Sequence, residues 1–214
     1  MNKKNIQLTD RDMKIFQIVH KFRFCLGRHI KALAGFEGAR ATDRRLKLLV
    51  EHRFLERNKY LYGVPYLYTL AHRGKICIGA NKRKEKIRVE RIAHDIDVLE
   101  SVIFYIKKYG ITLNEIKTEK DLHIRAGYGV HKHFPDFLAS IGEKKHAVEI
   151  ELSVKSKERL KGNIGENYLN YDYQVWFTDN EKVKRNLQEF QNEYSNIQIY
   201  NLSEVKKYVA VLFE

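Results

Sequence analysis

The chain has 214 residues, of which 40 are Lys or Arg and 27 are Asp or Glu, so its formal net charge is +13 at pH 7. Hydrophobic residues make up 43% of it and prolines number two, and no apolar run approaches the length of a leader peptide or a membrane span. We therefore expect a folded protein that is neither secreted nor membrane-spanning. Cys25 and Cys77 lie far apart in apolar sequence, which predicts buried free thiols in a reducing cytoplasm rather than a metal site.

The positive charge is concentrated towards the N-terminus. Residues 1–80 hold 17 Lys and Arg against 6 Asp and Glu, residues 81–90 hold 5 against 2, and residues 91–214 hold 18 against 19. A lysine-rich surface without function would spread this charge evenly. A basic field confined to one part of the chain attracts a polyanion, and nucleic acid is the partner we expect. We therefore divide the chain into a domain of residues 1–80, a connector of residues 81–90 and a domain of residues 91–214.

The first predicted element is a helix that begins at Thr9. Asp12 follows three residues later, as in a capping box, and an apolar stripe at helical spacing comes next. Further helices are predicted over Leu26–Ala34 and Ala39–Phe54, with two glycines in the turn between them. The residues expected to face the core are Ile15, Ile18, Val19, Phe22, Ile30, Leu33, Ala34, Leu46, Leu49, Val50 and Phe54.

The outer side of the third helix is basic. Its residues at helical spacing are Arg40, Arg44, Lys47 and Glu51, with Arg45 beside them. A helix with one apolar face for its own domain and Arg and Lys on the other fits the major groove of DNA. We take Arg40, Arg44, Arg45 and Lys47 as candidate DNA-binding residues. An ordinary solvated helix face is the alternative.

After the third helix the sequence predicts two strands joined by a turn at residues 63–65, then a short helix. Tyr60, Tyr62, Tyr66 and Tyr68 alternate with leucines. We expect this alternation to reflect strand packing; exposed aromatics that stack on RNA bases are the alternative.

Basic residues in the hairpin and the connector are candidates for phosphate contacts. They are Arg57 and Lys59 in the hairpin and Lys82, Arg83, Lys84 and Lys86 in the connector. Three helices followed by a hairpin is the order of a winged helix-turn-helix. The phrase YLYTLAHRGKICI resembles the point at which the wing of many bacterial winged-helix regulators returns to a helix. The resemblance covers about 70 residues and implies a DNA-binding fold for residues 1–80.

The second domain reads as α-β-β-β-α-β-α-β-α. The predicted elements are a helix over Val89–Tyr109, a strand over Ile111–Lys117, a loop with Gly127 and Gly129, strands over His133–Ile141 and Ala147–Val154, a helix over Lys157–Leu169, a strand over Gln174–Thr178, a helix over Glu181–Tyr194, a strand over Ile197–Asn201 and a helix over Ser203–Leu212. In the strand over Ala147–Val154 we expect one apolar face, formed by Val148, Ile150, Leu152 and Val154.

Three carboxylates are predicted to meet in this domain. Glu149 and Glu151 lie two apart on one strand and so project from the same face, where Asp136 of the adjacent strand can meet them. Such oxygen ligands hold Mg²⁺ or Mn²⁺, which can bind phosphate, activate water and stabilise a leaving oxygen. A sheet with one solvated face also shows Glu-x-Glu, and that is the alternative.

The element order and these carboxylates resemble the PD-(D/E)XK nuclease superfamily, whose αβββαβ fold carries Asp on its second strand and Glu-x-Lys on its third. The phrases HFPDFLAS and HAVEIELS carry the resemblance. It implies that Asp136, Glu149 and Glu151 are the catalytic metal ligands of a DNA endonuclease. Glu151 stands where most members have lysine, and Lys155 is the candidate to replace that lysine.

The resemblance also implies a catalytic acid on the long first helix, for which Glu100 is the candidate and Asp97 its rival. The predicted fold class is thus α+β and α/β in two domains. Residues 1–80 form a winged helix-turn-helix, and residues 91–214 form an αβββαβ restriction-endonuclease-like fold. Because the superfamily contains inactive members, the resemblance leaves open whether the domain cleaves DNA.

Several histidines lie near these strands. His131 and His133, with His123 and His146 nearby, suggest a transition-metal site, although such residues are more often surface residues or phosphate contacts. His94 on the long helix is expected to cap or pack, or to face the acidic cluster.

The layout of both domains resembles the replication-relaxation family of plasmids and integrative elements in Gram-positive bacteria. The phrases LTDRDMKIFQIVHKF, RIAHDIDVLE, PDFLAS and VEIELS carry this resemblance. It implies a cytoplasmic protein that binds double-stranded DNA in replication, mobilisation or their control, with metal-dependent cleavage or nicking as one outcome. The alternative is a non-catalytic transcriptional regulator or replication accessory factor whose C-terminal domain mediates dimerisation or partner binding. Winged-helix proteins often bind palindromes as dimers, so a homodimer is one assembly to test.

Overall fold

The structure is a computed structural model that describes residues 6–81, 86–127, 129–130 and 132–213. Lys82, Arg83 and Lys84 of the predicted connector, and His131, lie outside the described residues. The chain divides into two compact units, of which the second runs from His94 to Leu212. Each unit contains helices and a sheet, so the fold class is α+β. Within the described ranges, no helix combines the length and the apolar character needed to cross a bilayer.

The first unit packs helices against a three-stranded antiparallel sheet of order β1-β3-β2. Its elements are α1 (Asp10–Phe22), β1 (Phe24–Leu26), α2 (Gly27–Ala34), α3 (Ala39–Glu51), β2 (Leu55–Asn58), β3 (Leu67–Leu70) and α4 (His72–Cys77). The start of α1 is fixed as predicted, because Oδ2 of Asp12 accepts hydrogen bonds from the backbone N–H and the hydroxyl of Thr9 at 2.7 and 2.9 Å.

The residues predicted to face the core of this unit are buried, except Val50, which is partly exposed. α3 ends at Glu51, earlier than predicted, and Phe54 packs from the turn after it, with its ring 5.7 Å from that of Phe16. α4 lies close to this turn. A Cβ atom on Gly74 would stand 2.4 Å from the carbonyl oxygen of Phe54, so glycine is needed there.

The hairpin differs from its prediction. β2 ends at Asn58 and β3 begins at Leu67, so the segment between them is outside the sheet. Tyr60, Tyr62 and Tyr66 lie in that segment and are exposed, whereas Tyr68 lies in β3 and is buried. The prediction that the tyrosine alternation reflects strand packing is therefore wrong for three of the four residues, because they lie outside β2 and β3 and are exposed.

The two cysteines also differ from each other. Cys25 is buried in β1, as predicted. Cys77 is exposed at the end of α4, so the prediction of a buried thiol is wrong there. Its neighbour Ile76 is exposed as well, because the short helix turns Gly74 and Lys75 inward instead.

The second unit is built on a five-stranded sheet of order β4-β5-β6-β7-β8. Its elements are α5 (Ile92–Tyr109), β4 (Ile116–Thr118), α6 (Glu119–Ala126), β5 (Phe137–Ile141), β6 (Lys144–Ile150), α7 (Lys157–Asn170), β7 (Tyr173–Phe177), α8 (Glu181–Gln191), β8 (Ile197–Tyr200) and α9 (Leu202–Phe213). The first three strands pair antiparallel, while β7 and β8 continue the sheet in parallel with β6. Each parallel connection contains a helix, α7 or α8.

Helices cover both faces of this sheet. Trp176 of β7 is fully buried in an apolar cluster with residues of α7 and α8. Its neighbour Phe177 points to the opposite face, where its ring lies 6.3 Å from that of Tyr105 on α5. The ring of Tyr105 also lies 5.4 Å from that of Phe137 on β5. The sheet is thus a central layer that is packed on both faces.

The apolar strand predicted over Ala147–Val154 is shorter in the structure. β6 ends at Ile150. The N–H of Glu151 donates a hydrogen bond to the carbonyl of Phe177, the last residue of β7, at 3.0 Å, and the pairing of the two strands ends there. Leu152 and Val154 are exposed after the chain leaves the sheet. The prediction that they continue the apolar face of the strand is wrong.

Three other boundaries in this unit differ. The strand predicted over Ile111–Lys117 is reduced to β4, and the predicted loop after it contains α6. α6 begins at a capping box, in which Oγ1 of Thr118 accepts the N–H of Asp121 at 3.2 Å and Oδ2 of Asp121 accepts the N–H of Thr118 at 2.9 Å. The strand predicted from His133 begins only at Phe137, so His133 lies before the sheet.

Candidate functional site

The first candidate surface is the outer side of α3. Arg40, Arg44, Lys47 and Glu51 are all exposed, as their spacing predicted. Nζ of Lys47 lies 4.0 Å from Oε1 of Glu51, a loose pair between exposed side chains that contributes little. The side of α3 that faces solvent is therefore positively charged.

A groove beside α3 collects further charge. Five basic side chains line it: Arg28, Lys31, Arg44, Lys47 and Arg57. Among the described residues that line this groove, Asp43 is the single acidic one. A concave surface with such an excess of positive charge attracts phosphate groups.

The guanidinium of Arg45 is bonded to other residues of the first unit. Its Nε donates to Oδ1 of Asp12 at 2.8 Å, and its Nη2 donates to the carbonyl of Gln7 at 2.9 Å and to Oδ2 of Asp12. Burial raises the pKa of Asp12, but the hydrogen bonds from Arg45 and Thr9 outweigh it and lower that pKa overall. Arg45 thus ties α3 to the start of α1, a structural role that its prediction as a DNA-binding residue does not include.

The two basic residues of the hairpin lie against aromatic rings. Cζ of Arg57 is 4.4 Å from the ring centre of Tyr66, and Nζ of Lys59 is 5.8 Å from that of Tyr62. Both basic side chains are exposed. The hairpin therefore presents cations and rings together.

The second candidate site lies at the carboxyl end of β6. Because β5 runs antiparallel to β6, the residues before β5 lie beside the end of β6. Oδ2 of Asp136 accepts the backbone N–H of Ile150 at 2.8 Å. Glu149 is on β6 and Glu151 follows it, and both are buried. The sheet topology brings the three predicted carboxylates to one end of the sheet.

Glu149 is held by two side chains from other segments. Its Oε1 lies 2.5 Å from Nε2 of His133 and 2.9 Å from Nδ2 of Asn167 on α7. Burial raises the pKa of Glu149 and the charge of Asp136 adds to the rise, although His133 and Asn167 partly offset it. Burial lowers the pKa of His133, but the hydrogen bond and charge of Glu149 outweigh burial and raise it overall.

The other two carboxylates also have basic neighbours. Nζ of Lys155 forms an ion pair with Oε2 of Glu151. Nε2 of His94 on α5 lies 3.3 Å from Oδ2 of Asp136. Each of the three carboxylates thus lies beside one basic side chain, and these three side chains come from different segments of the chain.

The candidates for the helix-borne acid lie together on α5. Asp97 and Glu100 are both buried, and Nζ of Lys206 on α9 lies 2.8 Å from Oδ1 of Asp97. Burial raises the pKa of Asp97, an effect that Lys206 opposes and the charge of Glu100 increases. The structure groups these two acids with each other, about one and two helical turns beyond His94, and pairs Asp97 with Lys206.

The atoms of the site are those that a divalent cation binds. Carboxylate oxygens are the ligands preferred by Mg²⁺ and Mn²⁺, and Oδ1 of buried Asn167 has no hydrogen-bond partner among the described residues. The donor set therefore fits such an ion chemically. In the described part of the chain no three His, Cys, Asp or Glu side chains are grouped as metal ligands, and basic side chains balance the carboxylates.

Two members of the site were not assigned to it from the sequence. The sequence predicts His133 at the surface, on phosphate or in a transition-metal site, and it gives Asn167 no role as a partner of these carboxylates. Asn163 and Asn167 are buried one turn apart on the inner side of α7, beside Leu160 and Ile164. Polar residues on an apolar helix face are the signal that would have indicated a polar partner beneath α7.

No family model, no curated protein and no solved structure matches this chain. Its function is therefore inferred from the geometry and charge of the two candidate surfaces.

Proposed function

We propose that the chain is a cytoplasmic protein of a bacterial plasmid or integrative element that binds double-stranded DNA and acts in replication, mobilisation or their control. The observation that carries the proposal is the exposed basic side of α3 beside a groove with five basic lining residues. The order α1-β1-α2-α3-β2-β3 supports it, since a winged helix-turn-helix has this order and inserts its recognition helix into the major groove.

The basic residues of α3 and of the hairpin have different roles in this mode of binding. Arg40, Arg44 and Lys47 of α3 reach base edges and phosphates in the major groove. Arg57 and Lys59 of the hairpin contact phosphates on the flanking backbone. Arg45 fixes the position of α3 through Asp12 and acts on DNA only indirectly. A homodimer on a palindromic site is one assembly compatible with this mode.

The second unit is proposed to be nuclease-like. Its order α5-β4-β5-β6-α7-β7, with α6 inserted after β4, supports the resemblance to the αβββαβ fold of the PD-(D/E)XK superfamily. Asp136, Glu149 and Glu151 would hold Mg²⁺ or Mn²⁺, which when bound stabilises negative charge on a phosphodiester. The chain itself adds the positive charge of Lys155 beside Glu151, which attracts a phosphate to the site.

A second function is favoured by the pairing of the carboxylates. His94, His133 and Lys155 each balance one of them, so the site is electrostatically satisfied by the protein alone. In this case the second unit would be a scaffold for dimerisation or partner binding. The protein would then be a non-catalytic regulator or a replication accessory factor.

Incubation with supercoiled plasmid in Mg²⁺, Mn²⁺ or EDTA separates the two functions. For a nuclease we expect metal-dependent nicking or linearisation by the wild type, abolished in Asp136→Ala and unchanged in Glu189→Ala, which alters an exposed carboxylate elsewhere in the same unit. A gel shift without cleavage under all conditions favours the non-catalytic function. Loss of the gel shift as well would contradict DNA binding itself.

A further inference from the structure

The segment between β2 and β3 presents three aromatic rings to solvent. Tyr60, Tyr62 and Tyr66 lie within seven residues of each other, and Tyr62 is fully exposed. Rings that were merely tolerated at the surface would be scattered. A cluster of exposed rings at the tip of a hairpin is typical of a surface that contacts a partner.

The charges around these rings define the partner. Arg57 and Lys59 lie against the rings of Tyr66 and Tyr62, and the sequence from Arg57 to Tyr66 contains no Asp or Glu. The surface therefore offers flat apolar faces and positive charge together. Nucleobases attached to phosphates have the complementary properties.

The chain turns between Tyr62 and Tyr66. Gly63 has φ +77°, which a residue with a side chain rarely adopts, and Pro65 fixes its own backbone angle. Pro65 and Tyr66 also line the groove that Arg44 and Lys47 line. The aromatic segment is thus continuous with the surface proposed to bind duplex DNA.

Bases inside a duplex have both faces stacked and cannot accept a tyrosine ring, whereas unpaired bases can. We infer that residues 59–66 form a stacking platform for unpaired bases, and that the preferred substrate is DNA in which a duplex adjoins a single strand. This inference rests on the proposed function and deepens it, since it names the form of DNA that the first unit recognises.

Fluorescence anisotropy with two labelled DNAs tests the inference. One is a fully paired duplex, and the other has the same stem and an unpaired fork of thymines, at the same salt concentration. We expect the full chain to bind the fork more tightly. Tyr62→Ala should weaken fork binding by about 5- to 150-fold, the range expected for loss of stacking on one base, and should leave duplex binding unchanged. Tyr62→Phe should retain the preference, because it keeps the ring.

Tyr168→Ala, which alters a half-exposed tyrosine of α7, is the matched control and should change neither affinity. Equal binding of fork and duplex by the wild type would overturn the inference and leave the proposed function standing. Equal weakening of both DNAs in Tyr62→Ala would also overturn it. Tighter binding to an RNA fork of the same sequence would overturn the assignment to DNA, and binding to neither DNA would overturn the proposed function as well.

Discussion

Nε2 of His133 lies 2.5 Å from Oε1 of Glu149, although the two residues are 16 positions apart. His133 precedes β5 and Glu149 lies on β6, so the antiparallel pairing of the two strands brings them together. The pair is largely buried, and its charge state is therefore coupled to the stability of the second unit.

We expect the free energy of unfolding of the second unit to fall as the pH rises above about 6.5. The folded-state pKa of His133 is raised above its ordinary value of 6.5, so its stabilising effect is complete below that value and is lost as the pH rises through the folded-state pKa. Glu149, whose pKa is raised from 4.5, adds a decline in the same direction that begins at lower pH.

Urea unfolding in EDTA, followed by the fluorescence of Trp176, measures this effect, because Trp176 is the single tryptophan and is buried in the second unit. His133→Gln keeps a hydrogen-bond donor for Glu149 but cannot bind a proton in this range. The variant should lose the decline above about pH 6.5. The same decline in His133→Gln would show that another group causes it.

Alanine at Arg45 should lower stability, whereas alanine at Arg44 should weaken DNA binding. Arg45→Ala removes the charged partner of buried Asp12, and we expect the first unit to lose about 2–3 kcal/mol of stability. Arg44→Ala alters an exposed residue and should stay within about 0.5 kcal/mol of the wild type. It should instead weaken duplex binding and reduce the salt dependence by about one phosphate contact.

Unfolding followed by circular dichroism, and anisotropy over a salt series, measure the two effects separately. Equal stability of both variants would argue against Arg45 as a tether. An unchanged salt slope in Arg44→Ala would argue against α3 as the DNA-contacting helix.

Divalent cations should stabilise the second unit if its carboxylates bind them. A ligand at ten times its Kd adds about 1.4 kcal/mol to the native state. We expect Mg²⁺ to raise the Tm of the wild type but not of Asp136→Asn, which keeps an oxygen acceptor for the N–H of Ile150 and loses the charge. Asp172→Asn, at an exposed carboxylate bonded to Lys144, should respond like the wild type. A wild type insensitive to Mg²⁺ would support the non-catalytic function.

Two glycines in helices should respond differently to alanine. A Cβ on Gly74 of α4 would press on the carbonyl oxygen of Phe54, and we expect a loss of about 1–3 kcal/mol. A Cβ on Gly162 of α7 would meet nothing within 4 Å among the described residues, and we expect a gain of about 0.5–1 kcal/mol. Urea unfolding of both variants checks this, and a neutral Gly74→Ala would show that α4 can shift away from the turn.

Local sequence signals were sufficient for most helices. The capping pair Thr9 and Asp12 and the apolar stripes located α1 and the cores of α2 and α3, because these features act within a few residues of each other. The same signal precedes α6, at Thr118 and Asp121, and is sufficient to predict a helix where the sequence analysis has a loop. The three-residue strand β1 gives no alternation to recognise, and it exists only because β3 pairs with it far along the chain.

The part of the candidate site that depends on local spacing was also predictable from the sequence. The spacing of Glu149 and Glu151 indicated that both lie near the end of one strand, but β6 ends before Glu151 because its parallel neighbour β7 ends there. The contacts of Glu149 with His133 and Asn167 depend on the packing of a strand and a helix against β6. Such contacts are set by tertiary structure: the asparagines on the apolar face of α7 indicate that a polar partner lies beneath the helix, but not which residue it is.

The five-stranded sheet is longest in its middle and shortest at its borders. β6 has 7 residues, whereas the border strands β4 and β8 have 3 and 4. Unpaired backbone groups on a border strand are the template on which a second sheet can grow, and borders this short offer only a few of them. The second unit is thereby protected against edge-to-edge pairing with another sheet, the first step of growth into fibrils.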